Sequence, residues 1–192
     1  SLRLMRRERC LVALAVVVAA GVLPSVSYAD LAFNVGATTD YRYRGISQSR
    51  LKPALQGGID YSAGGLYLGS WASTIKWIED AGTLAGADAG STKVEIDLYG
   101  GYKGELSKGL AYDVGGLYYL YPGNKIKDLG GENADTFEIY GALTYGPVTA
   151  KYSHALTHTF GNPDSKNSYY LDLSAGFDLG DGWTLTPHVG YQ

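Results

Sequence analysis

Residues 93–103 read KVEIDLYGGYK, and the fold follows from the way their side chains alternate. Val94, Ile96, Leu98, Gly100 and Tyr102 share one phase, while Lys93, Glu95, Asp97, Tyr99, Gly101 and Lys103 share the other. Successive side chains of a strand point to opposite faces, so the stretch reads as a β-strand with one apolar face ending in an aromatic and one charged face.

The same period of two recurs outward from this segment in both directions. Residues 33–43 set Phe33, Val35, Ala37, Thr39, Tyr41 and Tyr43 against Asn34, Thr38, Asp40 and Arg42. Residues 136–145 set Phe137, Ile139, Leu143 and Tyr145 against Glu138, Tyr140 and Thr144, and residues 169–179 set Tyr169, Leu171, Leu173, Ala175, Phe177 and Leu179 against Asp172, Ser174 and Asp178. Weaker alternation runs through 53–61, 110–121 and 183–191, and two further segments, 66–73 and 148–160, alternate without a clear apolar side. Nine strands result, each near the roughly 9–11 residues of a tilted membrane strand. Composition agrees: 27 Gly and 17 Tyr against one Met and one Cys favour strands and tight turns over helices.

The connections separate a soluble sandwich from a membrane barrel. SAGG (62–65), SKG (107–109), YGP (145–147) and GDG (180–182) are tight turns, and they alternate with long connections at 45–52, 75–91, 122–134 and 161–167. Short turns on one side and long loops on the other are the asymmetry of an outer-membrane barrel, whereas a secreted β-sandwich explains the alternation but not the asymmetry. The expected fold is therefore an all-β, antiparallel, up-and-down transmembrane barrel. Aromatic positions fit two interfacial girdles: Tyr41, Tyr43, Tyr118 and Tyr169 near the long-loop ends, and Tyr61, Tyr102, Tyr112, Tyr145 and Trp183 near the short-turn ends.

The N-terminus reads as an export signal. Met5, the expected start, is followed by Arg6, Arg7 and Arg9, by an apolar run from Cys10 to Leu23, and by Ser27, Tyr28 and Ala29 as a small-x-small cleavage site. The run is 14 residues long, short of the roughly 20 that a spanning helix needs. Residues 1–29 are thus expected to be a cleaved signal peptide and 30–192 the barrel, placed in the bacterial outer membrane with outer-membrane lipid and the export and assembly machinery as partners. Removing the signal moves the formal charge from −3 to −6, which argues against a nucleic-acid partner. Past Ala29 there is no Cys, so no disulfide braces the exported part.

Because bacterial barrels take even strand numbers, nine strands and an ending in HVGYQ are read as a C-terminally incomplete barrel, with about three strands missing if the whole has twelve.

The string FNVGATTDYRYRGISQSRLKPALQGGIDYS, followed by GLYLGSWAST, KVEIDLYGGYKG and YDVGGLYYLYPG, resembles the TorF family of porin-like proteobacterial proteins. The DYxxRGxSQS…PAxQGGxDY pattern is the most specific part, and the likeness spans roughly residues 31–192. It implies an outer-membrane barrel of about twelve strands with a porin-like role, and it supplies no catalytic residues.

Function then rests on the inward face. Asp40, Arg42, Arg44, Asp60, Lys93, Glu95, Asp97, Lys103, Asp113, Glu138, Lys151, Asp172 and Asp178 are expected to line it. A lumen carrying both signs holds water, and about twelve strands leave a narrow aqueous path for passive diffusion of small hydrophilic solutes. Pairing of these charges across the lumen would instead make a non-conducting, anchoring barrel, and the sequence leaves both open. A barrel enzyme acting on lipids is the third reading. It finds little support, because Ser153 and His154 point to opposite faces and His154 and His158 lie about 13 Å apart along a strand, too far to share a metal. No cofactor is expected. GADAGSTKVEID lacks the ligand spacing of a calcium loop, EDAGTLAGADAGS reads as a flexible external loop, and no phosphate-binding glycine motif occurs.

Overall fold

The computed structural model describes residues 29–192; the signal peptide expected over 1–29 lies, but for its last residue, outside the described residues. In chain order the elements are β1 (Asp30–Thr38), β2 (Arg42–Tyr43), β3 (Ile46–Ser47), β4 (Ala54–Ala63), β5 (Leu66–Thr74), α1 (Trp77–Ala85), β6 (Val94–Ser107) and β7 (Leu110–Leu120). After a 3₁₀ turn at Ile126–Leu129 come β8 (Thr136–Tyr145), β9 (Val148–Ala155), β10 (Tyr169–Ala175), β11 (Phe177–Gly180), β12 (Trp183–Leu185) and β13 (His188–Tyr191). Nine of these form one antiparallel sheet in the order β1-β4-β5-β6-β7-β8-β9-β10-β13, so each strand lies beside its sequence neighbour within the sheet. The pairs β2–β3 and β11–β12 are separate small hairpins.

The turns at one end are set by residues that tolerate positive φ. Gly64 and Gly65 have φ of 57° and 92°, the mirror-image geometry that suits the right-handed twist of a two-residue hairpin. Asp181 and Gly182 repeat it at 52° and 80°. The other end carries connections 39–53, 75–93, 121–135 and 156–168, so the short/long asymmetry read from the sequence holds for the turns after β4, β6 and β8; the expected tight turn at 180–182 instead closes the separate β11–β12 hairpin, within a longer connection, 176–187, from β10 to β13.

Register places the side chains in two sets. One face carries Leu31, Phe33, Ile59, Leu68, Leu98, Val114, Ile139, Leu143, Leu171 and Val189, every one of them at least 39% exposed. The opposite face carries the polar and charged phase and is far less exposed. The buried apolar cluster lies beyond the sheet's long-loop end: Ile75, Ile78, Ala89, Tyr119, Tyr121, Ile126 and Ala134, with Trp77 and Phe160 packed on it.

Four expectations are corrected. The first strand ends at Thr38, not at Tyr43, because Asp40 and Ser49 turn the chain into the β2–β3 hairpin, with the Ser49 hydroxyl accepting from the Tyr41 amide at 2.9 Å. The stretch expected as a flexible loop begins with α1, which buries Ile78 and Gly82 and is capped at Gly86, whose φ is 64°. The ninth strand stops at Ala155, and the strand expected over 169–179 breaks at Gly176. The sheet is open, with β1 and β13 as its two edges among the described residues. No helix of the described residues is long and apolar enough to cross a membrane.

Candidate functional site

The polar face is organised by tyrosines laid over glycines. Tyr99 faces Gly69 across the β5–β6 pair, Tyr67 faces Gly101 in the same pair, Tyr140 faces Gly115 across β7–β8, and Trp71 faces Gly58 across β4–β5. Each glycine leaves the space its partner's ring occupies; a methyl group on Gly69 would fall on the Tyr99 ring. Covering a strand glycine with a cross-strand aromatic restores the packing the glycine forfeits. The ring hydroxyls then reach along the face to carboxylates: Tyr99 donates to Asp60 at 2.5 Å, Tyr67 to Asp113 at 2.5 Å, and the Tyr67 and Tyr140 hydroxyls meet. Lys151 lies 4.1 Å from the centroid of the Tyr140 ring and Lys103 5.7 Å from that of Tyr67, within cation–π range.

The first hairpin folds over the long-loop end of this face. Arg44 donates from its Nη2 to both carboxylate oxygens of Glu138 on β8, at 2.9 and 2.7 Å, with side chains 8% and 3% exposed, and its guanidinium also lies 4.4 Å from the centroid of Tyr170 on β10. In a flat sheet, seven strand spacings put β10 roughly 34 Å from β1. Six residues from Thr38 to Arg44 span at most about 21 Å. Chain and side chains would cover that span only if fully extended, and Arg44 sits in a turn with φ of 46°, so contact with Tyr170 fits a sheet curled with the polar face concave.

Two tyrosines of the same hairpin complete the cover. Tyr41 donates to Glu95 at 2.5 Å, a carboxylate that Tyr121 also reaches at 2.5 Å, and the Tyr43 hydroxyl meets that of Tyr119 at 2.7 Å. Burial and then the Glu95 charge push both Tyr41 and Tyr121 above the ordinary tyrosine range, so both hold the protons they donate. The expected outward placement of Tyr41 and Tyr43 in a girdle is therefore wrong. The chain leaves β1 before them, and their rings pack inward on Trp71, Tyr119 and Phe160.

Eight expected inward residues do converge on the concave face or its mouth: Arg44, Asp60, Glu95, Asp97, Asp113, Glu138, Lys151 and Asp172, the last 3.1 Å from His188. Lys103 shares the phase but is exposed near the short-turn end, and Lys93 is exposed just outside β6. Two expectations fail here. The Arg42 guanidinium is exposed and spent locally, on Asp40 at 2.7 Å and the Gly45 carbonyl at 3.2 Å. Asp178 is exposed in the β11–β12 hairpin, where it accepts from the Gly180 amide at 2.8 Å. Burial alone would raise the Asp40 carboxyl, but the Ser47 hydroxyl and Arg42 outweigh it and hold it below the usual carboxylate range.

Tyr61, Tyr102, Tyr112, Tyr118, Tyr145 and Tyr169 lie on the exposed apolar face, with Tyr102 and Tyr112 rings 6.3 Å apart, and Trp183 is 64% exposed in β12. Missing from the expected set were Tyr67, Tyr99, Tyr140 and Tyr170. Tyr99 and Tyr140 fall in the polar phase already read from the sequence; what the sequence does not carry is the strand register that sets Tyr67, Tyr99 and Tyr140 opposite glycines. Ser153 lies on the concave face and His154 on the apolar one, where it bonds the Tyr152 hydroxyl at 2.9 Å. His158 lies past β9 and shares no face with His154. Among the described residues no three His, Cys, Asp or Glu side chains are arranged to hold a metal ion.

A family described as "Bacterial protein of unknown function (Gcw_chp)" matches residues 24–192. The chain belongs to this family. No curated protein and no solved structure matches it. The Gcw_chp match takes in every strand of the sheet, the covering hairpin and the tyrosine–glycine ladder, so site and family coincide in the sequence they occupy.

Proposed function

We propose that this Gcw_chp protein is a porin-like component of the bacterial outer membrane that passes small hydrophilic solutes by passive diffusion. The observation that carries the reading is the inversion of the sheet: its large apolar side chains are exposed across all nine strands, while its charges line the concave face. In water such a surface is an aggregation hazard far larger than the few hundred Å² a soluble monomer usually exposes. Against lipid it is the ordinary outside of a barrel, with the Tyr61–Tyr102–Tyr112–Tyr145 group at one interface and Tyr118 and Tyr169 toward the other. The free edges of β1 and β13 need partners, and a barrel of about twelve strands would supply them. The resemblance to the TorF porin-like family points the same way. The export signal read in residues 1–29 supports delivery through the export and barrel-assembly machinery.

A non-conducting, anchoring barrel is the second reading, and one feature favours it: the Arg44–Glu138 pair and the loop core cover the mouth. Planar-bilayer recording of the full-length protein separates the two. Reproducible conductance steps are expected, small because the hairpin narrows the path; a bilayer without steps overturns the porin reading and leaves the anchor. A full-length protein that stays monodisperse without detergent and shows no heat-modifiable gel migration would sink both.

A further inference from the structure

Asp97 is an inner-face acid that nothing among the described residues answers. It sits in β6 beneath the first hairpin, 9% exposed, and its Oδ1 is buried with no hydrogen-bond partner among the described residues. Its neighbours are all satisfied: Asp60 by Tyr99, Asp113 by Tyr67, Glu95 by Tyr41 and Tyr121, and Glu138 by Arg44. A carboxylate taken out of water is expensive to hold unless a cation or a set of donors meets it. The nearby protein cations are committed elsewhere, Arg44 to Glu138 and Lys151 to the Tyr140 ring.

The surroundings specify what kind of cation would fit. The cross-strand neighbours of Asp97 are Trp71 on β5 and Tyr119 on β7, both in the inward phase. Side chains so opposed are direct neighbours across a strand pair, about 4.5–5.5 Å apart at Cβ. Tyr41 packs edge-on against Trp71 at 5.4 Å between centroids and closes the side toward the mouth. The Trp71 ring leans over Gly58 and the Tyr119 hydroxyl reaches toward Glu138 at 3.4 Å, so the two side chains flank Asp97 without covering it. A carboxylate flanked by two aromatic side chains can pair the charge of an ammonium group while the rings attract the polarised hydrogens and alkyl carbon around its nitrogen. We infer that Asp97, flanked by Trp71 and Tyr119, is a binding subsite for the ammonium head of a small amine. The inference rests on the proposed solute path and gives that path a substrate class, with the Tyr41 hairpin controlling entry from the long-loop side.

The test is calorimetric titration of the full-length protein in detergent with methylammonium chloride, and in parallel with potassium chloride. Saturable methylammonium binding is expected, weakened at least tenfold in Asp97→Asn and severalfold in Trp71→Leu, and unchanged in Asp128→Asn, which alters an exposed acid outside the site. Wild-type affinity in Asp97→Asn would overturn the site, and potassium binding as tightly as methylammonium would overturn the amine class. If Asp97→Asn lost its heat-modifiable band, Trp71→Leu would decide, an unchanged affinity there counting against the site. Bilayer steps without methylammonium binding would remove the subsite and leave the pore; binding without steps would remove the pore and leave a subsite with no transport role.

Discussion

The two ends of the sheet are built on opposite principles. At the short-turn end two-residue connections such as Gly64–Gly65 and Asp181–Gly182 bury nothing, and tyrosines stand exposed beside them. At the long-loop end the connections pack on one another into an apolar core of Ile75, Ile78, Tyr121 and Ile126, the kind of interior a water-soluble domain has. The strands between have no apolar interior, since their hydrophobic side chains face outward. The loops are thus stabilised by the hydrophobic effect, and the strands by backbone pairing and the tyrosine–glycine ladder, to which lipid would add in the proposed barrel.

The sharpest way to break that contrast is at the ion pair that ties the loop end to the strands. Arg44→Ala leaves Glu138 buried and uncompensated, and loss of one partner of such a pair costs about 3–5 kcal/mol. The temperature at which the folded gel band is lost should fall steeply, and Glu138→Ala should behave alike. The double variant Arg44→Met with Glu138→Leu should recover most of the loss, because a packed apolar pair needs no compensation. If the double variant fell as far as the singles, the pair's role would lie in its geometry rather than its charge.

Leu171→Arg tests the middle of the strands. Leu171 is 48% exposed on the apolar face, opposite Tyr152 and Tyr191. In a bilayer an arginine there should cost about 2–4 kcal/mol in refolding stability. On a wet face it would change stability by about 0.5 kcal/mol or less, and the contrast between the ends would need another basis.

Gly69→Ala tests the ladder on the concave side and should cost about 1–3 kcal/mol through displacement of the Tyr99 ring. Combining it with Tyr99→Ala should be markedly less than additive, as for residues sharing one space. Additive denaturation results would show that ring and glycine do not depend on each other.

Much of this was legible in the residues. In KVEIDLYGGYK and its fellow segments, seven of the eight converging side chains follow from a strand's period of two, which is a property of the backbone and needs no tertiary information; Arg44 arrives by the hairpin instead. Turn chemistry located the short end for the same local reason. What the residues concealed is where the period stops. Phe33 to Tyr43 alternates without interruption, yet the strand ends at Thr38, since the Asp40 and Ser49 contacts that turn it come from side chains up to nine residues apart. Tyr41 and Tyr43 were consequently assigned to the wrong face, and Arg42 with them. Helix α1 was concealed similarly: its isolated sequence is poor in strong helix formers, and it holds because Ile78 packs into a core assembled from other loops.

The smallest expected effect concerns Asp40, the residue at which the two regimes meet. Its carboxyl accepts from Ser47 at 2.5 Å, Ser49 at 3.3 Å and Arg42 at 2.7 Å, and together they hold its pKa below the ordinary 3.8. A carboxyl depressed in the folded state contributes stability that is fully present above its unfolded value and lost as the pH falls through the folded one. The hairpin should therefore be indifferent to pH from 7 down to about 5 and loosen only below about 4. A spin label on Gln48, half-buried just past β3, should report the loosening as narrowed spectra in that acid range. In Asp40→Asn the acid transition should disappear and the mobile component should already be present at pH 7. A transition that persisted unchanged in Asp40→Asn would move the control of the hairpin to the buried Arg44–Glu138 pair. The loops would then be held from within the concave face rather than from their own turn.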